Sequence, residues 1–102
     1  MIENGKVVDG TGSPWTYGDV GISGDRIIAI TPPGMLRSAT AKQRVDARGK
    51  VVAPGFIDIH NHSTNGLATD PAAANQVAQG ITTLVVGADG SSPWPIADYI
   101  AE

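Results

Sequence analysis

The sequence predicts a protein of the α/β class, with strands in the first half and strands alternating with helices in the second. Over residues 1–54, short apolar runs alternate with turn signals, a pattern typical of antiparallel strands joined by hairpins. From residue 55 onward, an apolar run, a stretch with helical spacing and a second apolar run follow one another, which favours an α/β fold. We therefore expect two domains, an N-terminal β-hairpin or β-sandwich segment over residues 1–54 and the opening βαβα part of an α/β domain over residues 55–102.

Composition and charge exclude several function classes. The 102 residues are 41% apolar and 17% charged, which is typical of a globular domain with one modest core. The formal net charge of −3 gives no reason to expect nucleic acid or a membrane as a partner. The chain has no cysteine, so disulfides and thiolate metal ligands are excluded. Because no apolar run reaches the roughly 18 residues of a spanning helix and no signal peptide is visible, we expect a cytoplasmic protein.

Three hairpins are predicted in the first half from dipeptides that favour tight turns. Asn-Gly is the strongest of these signals, because both central positions of a type I′ turn need a positive φ. The predicted turns are Asn4-Gly5, Gly24-Asp25 and Arg48-Gly49. Residues 31–44 contain a Pro-Pro-Gly stop followed by polar residues, so they are predicted to form a surface loop.

A local basic run lies in and after this loop. Its members are Arg37, Lys42, Arg44, Arg48 and Lys50. An anion contact and a solvated loop are the two interpretations of the run, and composition favours the solvated loop.

The second half opens with a strand and a helix. A strand over residues 56–59 runs into the two histidines of the chain. Asp70 is expected to cap a helix that ends at Gly80, and Pro71 suits the first helical position, where a missing N–H costs nothing. These signals predict a first strand–helix unit.

A second strand–helix unit follows directly. Residues 81–86 form a nearly unbroken β-branched run, typical of a strand buried on both faces. A helix is expected to begin near Ser92-Pro93. Such a fold needs more parallel strands than the chain supplies, and the sequence stops inside an amphipathic pattern, so we expect a truncated protein.

The histidines and an aspartate recur at every second position of the first strand. Side chains alternate along a strand, so Asp58, His60 and His62 share one face. Two imidazoles two residues apart can bind one metal ion, and Asp58 could ligate it or orient a histidine. The alternative is an exposed strand whose histidines face water. The metal site is favoured because the histidines end the strand, where α/β folds place their sites.

The stretch VDARGKVVAPGFIDIHNHS resembles the segment that opens the barrel in enzymes of the amidohydrolase superfamily. In that superfamily a Pro-Gly-(Phe/Leu)-Ile-Asp-x-His-x-His strand supplies the first two metal ligands. Residues 2–30 resemble the N-terminal β-sandwich segment of the same enzymes. The spacing from His62 to ANQVAQGITTLVVGADGSSPWP is most similar to the D-aminoacylase, or N-acyl-D-amino-acid deacylase, branch.

The resemblance implies a (β/α)8 TIM-like barrel, incomplete in this chain, with an appended β-sandwich. It also implies one or two divalent metal ions, usually zinc, which activate a water to attack the carbonyl of a small-molecule amide. By motif match, His60 and His62 are the metal ligands and Asp58 is the acid that accompanies them. In the branch, a Val-Val-Gly-Asn-Cys-Gly-like stretch supplies a cysteine ligand. Here residues 85–90 are VVGADG, so Asp89 is expected to replace that ligand, with a tight Asp-Gly turn as the alternative.

The resulting hypothesis is an N-terminal fragment of a metal-dependent amidohydrolase that cleaves the C–N bond of an N-acyl amino acid. The family's remaining ligands and its catalytic aspartate are expected beyond this chain, so the fragment alone is predicted to be inactive. It is expected to need the rest of the barrel or a partner chain, and homo-oligomerisation stays open. Two alternatives remain, a cyclic-amide hydrolase of the dihydroorotase or hydantoinase type and a non-catalytic β-rich module that binds metal or pairs with a partner chain.

Overall fold

A computed structural model describes residues 1–101, and the chain divides into two compact units between Pro54 and Gly55. The first unit consists of strands, and the second combines strands with short helices, so the predicted mixed α/β class is confirmed. Across residues 1–101, no helix has the length and apolar character needed to cross a membrane.

The first unit is built on a five-stranded sheet. Its strands are β1 (Ile2–Val7), β2 (Thr16–Ser23), β3 (Arg26–Thr31), β4 (Val45–Asp46) and β5 (Val51–Val52). Strand β2 pairs antiparallel with both β1 and β3, whereas β4 and β5 both pair parallel with β1. The buried apolar side chains of this unit are Val7, Val20 and Ala47.

The hairpin predicted at Asn4-Gly5 is wrong, because these residues lie inside β1 as an irregularity of the strand. Asn4 has a φ of 61°, and the pairing with β2 shifts between Ile2 and Gly5. The same conformation that suits a turn therefore serves a bulge. Gly5 is needed there, because a Cβ at this position would lie 2.4 Å from Val52 Cγ2.

The hairpin predicted at Gly24-Asp25 is confirmed, and the one predicted at Arg48-Gly49 is wrong. Strands β2 and β3 pair antiparallel around a turn in which Gly24 has a φ of +60°. In contrast, β4 and β5 do not pair with each other, because both run parallel to the same edge of β1. The turn between them is closed by a 2.9 Å bond from Lys50 N–H to the Ala47 carbonyl. The pairing partner is thus remote in sequence, and the local turn signal gave the wrong pairing.

Residues 32–44 contain neither strand nor helix, as predicted for the loop. Arg44 holds the loop, since its Nη1 lies 2.6 Å from Glu3 Oε1 and its Nη2 donates to the carbonyls of Arg37 and Ala39. Arg48 pairs with Asp46, with Nε 2.7 Å from Oδ2. Two cations of the predicted basic run are therefore engaged by groups of the chain itself.

Over residues 55–101, the second unit contains two parallel strands and three short helices. Its elements are β6 (Phe56–Asn61), α1 (Thr64–Thr69), α2 (Ala74–Val77), β7 (Ile81–Val86) and α3 (Ile96–Ala101), with a single 3₁₀ turn over Ala88–Gly90. Phe56 pairs with Ile81 and Asn61 with Val86, so both strands end at the same edge.

Both predicted helix starts are wrong. Asp70 ends α1 instead of beginning a helix, since its backbone N–H donates to the Gly66 carbonyl at 2.8 Å, and α2 starts only at Ala74. The last helix starts at Ile96 and not near Ser92, because a residue that precedes a proline, here Trp94, is disfavoured from helical conformation.

The strands of the second unit leave apolar side chains exposed. Ile57 is 63% exposed and Ile59 is 78% exposed on β6, and Val85 is 50% exposed on β7. The prediction that β7 is buried on both faces is therefore wrong for the part of the chain that the structure describes. The reason is that α2 is the helix that packs against β7 here, and one helix of four residues covers little of a sheet.

Candidate metal centre

Strand β6 delivers two imidazoles to the edge where the parallel strands end. His60 is the penultimate residue of β6, and His62 follows the strand directly. The two rings lean together, with 3.2 Å between their Nε2 atoms and 5.2 Å between ring centroids. The two imidazoles thus lie on one face, as the alternation predicts, and their Nε2 atoms lie close together.

The segment after β7 delivers a carboxylate to the same point. Asp89 Oδ2 lies 2.9 Å from His60 Nε2 and 3.5 Å from His62 Nε2. When His60 Nε2 carries the proton, the shorter separation is a hydrogen bond from the imidazole to the carboxylate. Asp89 has a φ of 55° in its 3₁₀ turn, a conformation that aspartate tolerates better than most residues. Asp89 therefore lies in a tight turn and also faces the histidines.

Gly87 sets the course of this turn. Its φ is +87°, and a Cβ at this position would lie 2.2 Å from Ser92 Oγ. Ser91 Oγ also donates to the Ala88 carbonyl at 2.6 Å. The segment is thus folded tightly on itself, which fixes the position from which Asp89 reaches the histidines.

The three donor atoms lie close enough together to bind one divalent cation. Ligand atoms about 2.0–2.2 Å from a tetrahedral zinc lie about 3.3–3.6 Å from one another. Here the separation of 3.5 Å lies within this range, the one of 3.2 Å lies just below it, and the one of 2.9 Å is shorter. Two imidazole nitrogens and one carboxylate oxygen are also donors that zinc prefers. His60, His62 and Asp89 therefore form a set of side chains that can hold such an ion.

The centre is open to solvent. The side chains of His60, His62 and Asp89 are 57%, 54% and 69% exposed. Water and a small molecule can therefore reach the donor atoms, but the described residues do not exclude bulk water from them.

Asp58 contacts the backbone of His60 and not an imidazole of the described residues. Its Oδ1 accepts from the His60 N–H at 3.1 Å, and its Oδ2 accepts from Asn61 Nδ2 at 2.7 Å. The Asn61 amide and, next, the His60 N–H lower the pKa of the Asp58 carboxyl. Asp58 thus lies beside the ligands, and its predicted role as the accompanying acid stays a prediction.

Sequence reasoning did not single out Asn61. The structure buries its side chain, at 9% exposed, and Oδ1 accepts from both the Ser63 N–H, at 2.9 Å, and the Ser63 hydroxyl. An asparagine that accepts from a backbone N–H two residues later forms an Asx turn. The order Asn-x-Ser at the end of a strand was the signal that could have identified it.

Helix α3 contacts the chain just after the second histidine. Tyr99 OH donates to the Thr64 carbonyl at 3.0 Å, and Thr64 is buried as the first residue of α1. The backbone that leaves His62 is therefore held by a contact from the far end of the second unit.

Comparison with known proteins shows which family the sequence resembles. A model described as "Amidohydrolase family" matches residues 43–98, which include the three donor residues. N-acyl-D-glutamate deacylase of Alcaligenes xylosoxydans xylosoxydans is 47% identical over 95 residues, which are 93% of this chain and 19% of that protein. D-aminoacylase of the same organism is 43% identical over 97 residues, 95% of this chain and 19% of that protein.

A solved structure gives the same result. N-acyl-D-glutamate deacylase from Bordetella bronchiseptica, complexed with zinc and a phosphonate that mimics the tetrahedral intermediate, superposes with a TM-score of 0.75 at 44% identity. The match covers 84% of this chain and 18% of that structure. The chain thus spans about a fifth of the length of the curated relatives it matches, at 19% of each. The family match covers more than half of the residues, and the chain belongs to the amidohydrolase family.

Proposed function

We propose that the protein to which this chain belongs hydrolyses the amide C–N bond of N-acyl-D-amino acids, with a divalent cation held by His60, His62 and Asp89. The observation that carries the proposal is the convergence of the three donor atoms at the common edge of two parallel strands. The relatives supply the substrate class, since they include an N-acyl-D-glutamate deacylase. These relatives favour an N-acyl substrate over the cyclic-amide alternative.

We infer that β6 and β7 are the first two strands of a (β/α)8 barrel and that the first unit contributes to a β-sandwich. Parallel pairing, helices between the strands and ligands at the C-terminal strand ends all support this inference. The exposed Ile57 and Ile59 supply a face that barrel helices would cover. Further strands, whether from the same protein or from a partner chain, would complete the barrel.

The residues of the centre have distinct chemical roles in this proposal. His60 and His62 would donate the lone pairs of neutral imidazoles, and Asp89 would supply a negative charge that partly neutralises the cation. When bound, a divalent cation would supply Lewis acidity that polarises an amide carbonyl and lowers the pKa of a bound water towards about 7. The exposure of the three side chains leaves the donor atoms accessible to water and to a small amide.

Zinc binding by the 102-residue chain tests the ligand assignment. We expect His60→Ala, His62→Ala and Asp89→Ala each to weaken zinc binding by about tenfold or more, measured by competition with a chromophoric chelator. Asp98→Ala serves as the control, because Asp98 is an exposed acid of the same unit outside the cluster. Equal affinity for the control and for the three ligand variants would refute the assignment.

Turnover by the protein purified from its native source tests the activity. We expect release of free amine from N-acetyl-D-glutamate or another N-acetyl-D-amino acid, loss of the activity with a chelator and recovery with zinc. The L-enantiomers are the matched controls. If the zinc-restored protein releases amine from none of the N-acetyl-D-amino acids, the proposed substrate class is wrong. A cytoplasmic location stays a prediction.

A further inference from the structure

We propose that Asn61 is a positioning residue that fixes the separation of the two histidine nitrogens, an inference that rests on the proposed metal-binding function. Asn61 is the last residue of β6 and lies between the two ligands in sequence. Its side chain is 9% exposed, whereas the imidazoles on either side are 57% and 54% exposed. The buried group of this segment is thus the asparagine and not a ligand.

The Asn61 amide joins the backbones on the two sides of the centre. Its Nδ2 donates to Asp58 Oδ2 at 2.7 Å, and Asp58 Oδ1 accepts from the His60 N–H at 3.1 Å. Its Oδ1 accepts from the Ser63 N–H at 2.9 Å. An unbroken series of hydrogen bonds therefore runs from the backbone of the first histidine to the residue that follows the second.

The orientation of this amide is unambiguous. A carboxylate only accepts hydrogen bonds, so the NH₂ group must face Asp58. A backbone N–H only donates, so the amide oxygen must face Ser63. An amide side chain carries both a donor and an acceptor, whereas carboxylates only accept and cationic side chains only donate. Asparagine is the shorter of the two amide side chains, and it satisfies both partners.

The backbone of His62 needs this support because the sheet does not provide it. The pairing of β6 with β7 ends at Asn61 and Val86, so His62 lies beyond the last paired residue. Alternate residues of a regular strand lie about 6.6 Å apart along the strand axis, yet the Nε2 atoms are 3.2 Å apart. The Asx turn at Asn61 bends the chain after the strand, and this bend lets the second ring lean towards the first.

The network pairs one carboxylate with one amide, so exchanging these two side chains provides a test. Asn61→Asp keeps the acceptor for Ser63 but sets a second carboxylate against Asp58, and Asn61→Ala removes both bonds. Exchanging the pair, Asp58→Asn with Asn61→Asp, restores every bond. The new amide at position 58 accepts from the His60 N–H and donates to the new carboxylate, which still accepts from Ser63.

Zinc affinity of the 102-residue chain gives the first readout, and the absorption of bound Co²⁺ reports the ligand geometry. We expect both single variants to lose about 10- to 100-fold in zinc affinity and to change the cobalt spectrum, since partners of metal ligands have effects of that size. The exchanged pair should recover to within about threefold of the original chain. Asn65→Ala, at an exposed asparagine of α1, should change nothing.

A second readout needs no metal. In the metal-free chain, ring protons of His60 and His62 should show a nuclear Overhauser effect, because the ring centroids lie 5.2 Å apart. The effect should vanish in both single variants and return in the exchanged pair. If the original chain binds no zinc, the ligand assignment fails, and this measurement still decides the role of Asn61.

Three results would overturn the proposal. The first is a single variant that keeps both the zinc affinity and the ring contact of the original chain. The second is loss of amide dispersion in both single variants, because Asn61 would then hold the fold of the unit and not the imidazoles in particular. The third is a folded exchanged pair without recovered affinity or ring contact.

Discussion

Replacing Asp19 by alanine tests how the first unit is held together. Asp19 lies in β2 and is 0% exposed. Its Oδ1 accepts from the Asn4 N–H at 2.9 Å, and its Oδ2 accepts from the Gly34 N–H at 2.7 Å. One side chain thus joins the irregular part of β1 to the loop over residues 32–44.

The hydrogen bonds set the magnitude. A bond to a charged group contributes about 1.5–3 kcal/mol, so two bonds contribute about 3–6 kcal/mol. Alanine also removes the cost of burying a carboxylate, which offsets part of this contribution. We expect Asp19→Ala to lower the free energy of unfolding of the first unit by about 2–4 kcal/mol. A folded domain is typically stabilised by about 5–15 kcal/mol, so this loss is a large share of the total.

Each unit carries one tryptophan, which makes the measurement specific. Trp15 lies in the first unit and Trp94 in the second. In a Trp94→Phe background, fluorescence during urea unfolding reports the first unit alone, and Trp94 is 88% exposed, so its replacement should have little effect on stability. Asp25→Ala is the control, because that side chain is 93% exposed and lies 4.0 Å from its nearest cation.

The reasoning fails if Asp19→Ala lowers the free energy of unfolding by less than about 1 kcal/mol while the dependence of this free energy on urea concentration stays unchanged. It also fails if Asp25→Ala destabilises the unit as much as Asp19→Ala does. Either result would show that the two buried N–H groups find other acceptors, or that their bonds to Asp19 contribute nothing beyond its cost of burial.

Three further predictions follow from other contacts. The Arg48 guanidinium is the largest cause that lowers the pKa of Asp46, from 3.8 to about 2. This ion pair therefore stabilises the fold above about pH 4, and the stabilisation is lost as the pH falls towards 2. In Asp46→Asn, the urea midpoint should decrease less over that pH range than in the original chain. Gly87→Ala should weaken zinc binding by about tenfold, because the new Cβ would lie 2.2 Å from Ser92 Oγ. Gly90→Ala is the control. Gly90 also has a positive φ, +76°, but no atom lies within 4 Å of a Cβ at that position, so its effect should be much smaller. The zinc-loaded 102-residue chain should show no turnover of N-acetyl-D-amino acids in an amine-release assay, because its donor residues are more than half exposed to bulk water; turnover above that of free zinc would contradict this.

The elements that were predicted correctly are determined by residues close together in the sequence. The strand β7 has the bounds expected from its β-branched run, and the turn at Gly24 joins the two strands expected from the sequence. Asn4-Gly5 failed because a positive φ suits a bulge as well as a turn, and only the pairing with β2 decides between them. Asp70 failed for a similar reason, since a polar residue next to a helix can lie at either end of it.

The candidate site divides in the same way. That His60 and His62 lie on one face follows from strand alternation, which is a property of three consecutive residues. The contact between His60 and Asp89 joins residues 29 apart, so it depends on the parallel pairing of two strands and was predicted only through resemblance to a family. Asn61 was missed because alternation gives the face of a side chain but not the turn that follows the strand.

Strand register connects the fold to the ligand geometry. Two histidines on one strand supply donors along a single line, so a third donor must come from beside them. Parallel pairing provides it, because β6 and β7 end at the same edge and Asp89 follows β7 within one turn. A slip of one residue in this pairing would move that turn by about 3.3 Å and reverse the faces of the side chains. The Oδ2 to Nε2 separation of 2.9 Å could not survive such a slip, so the register that sets the sheet also assembles the metal ligands.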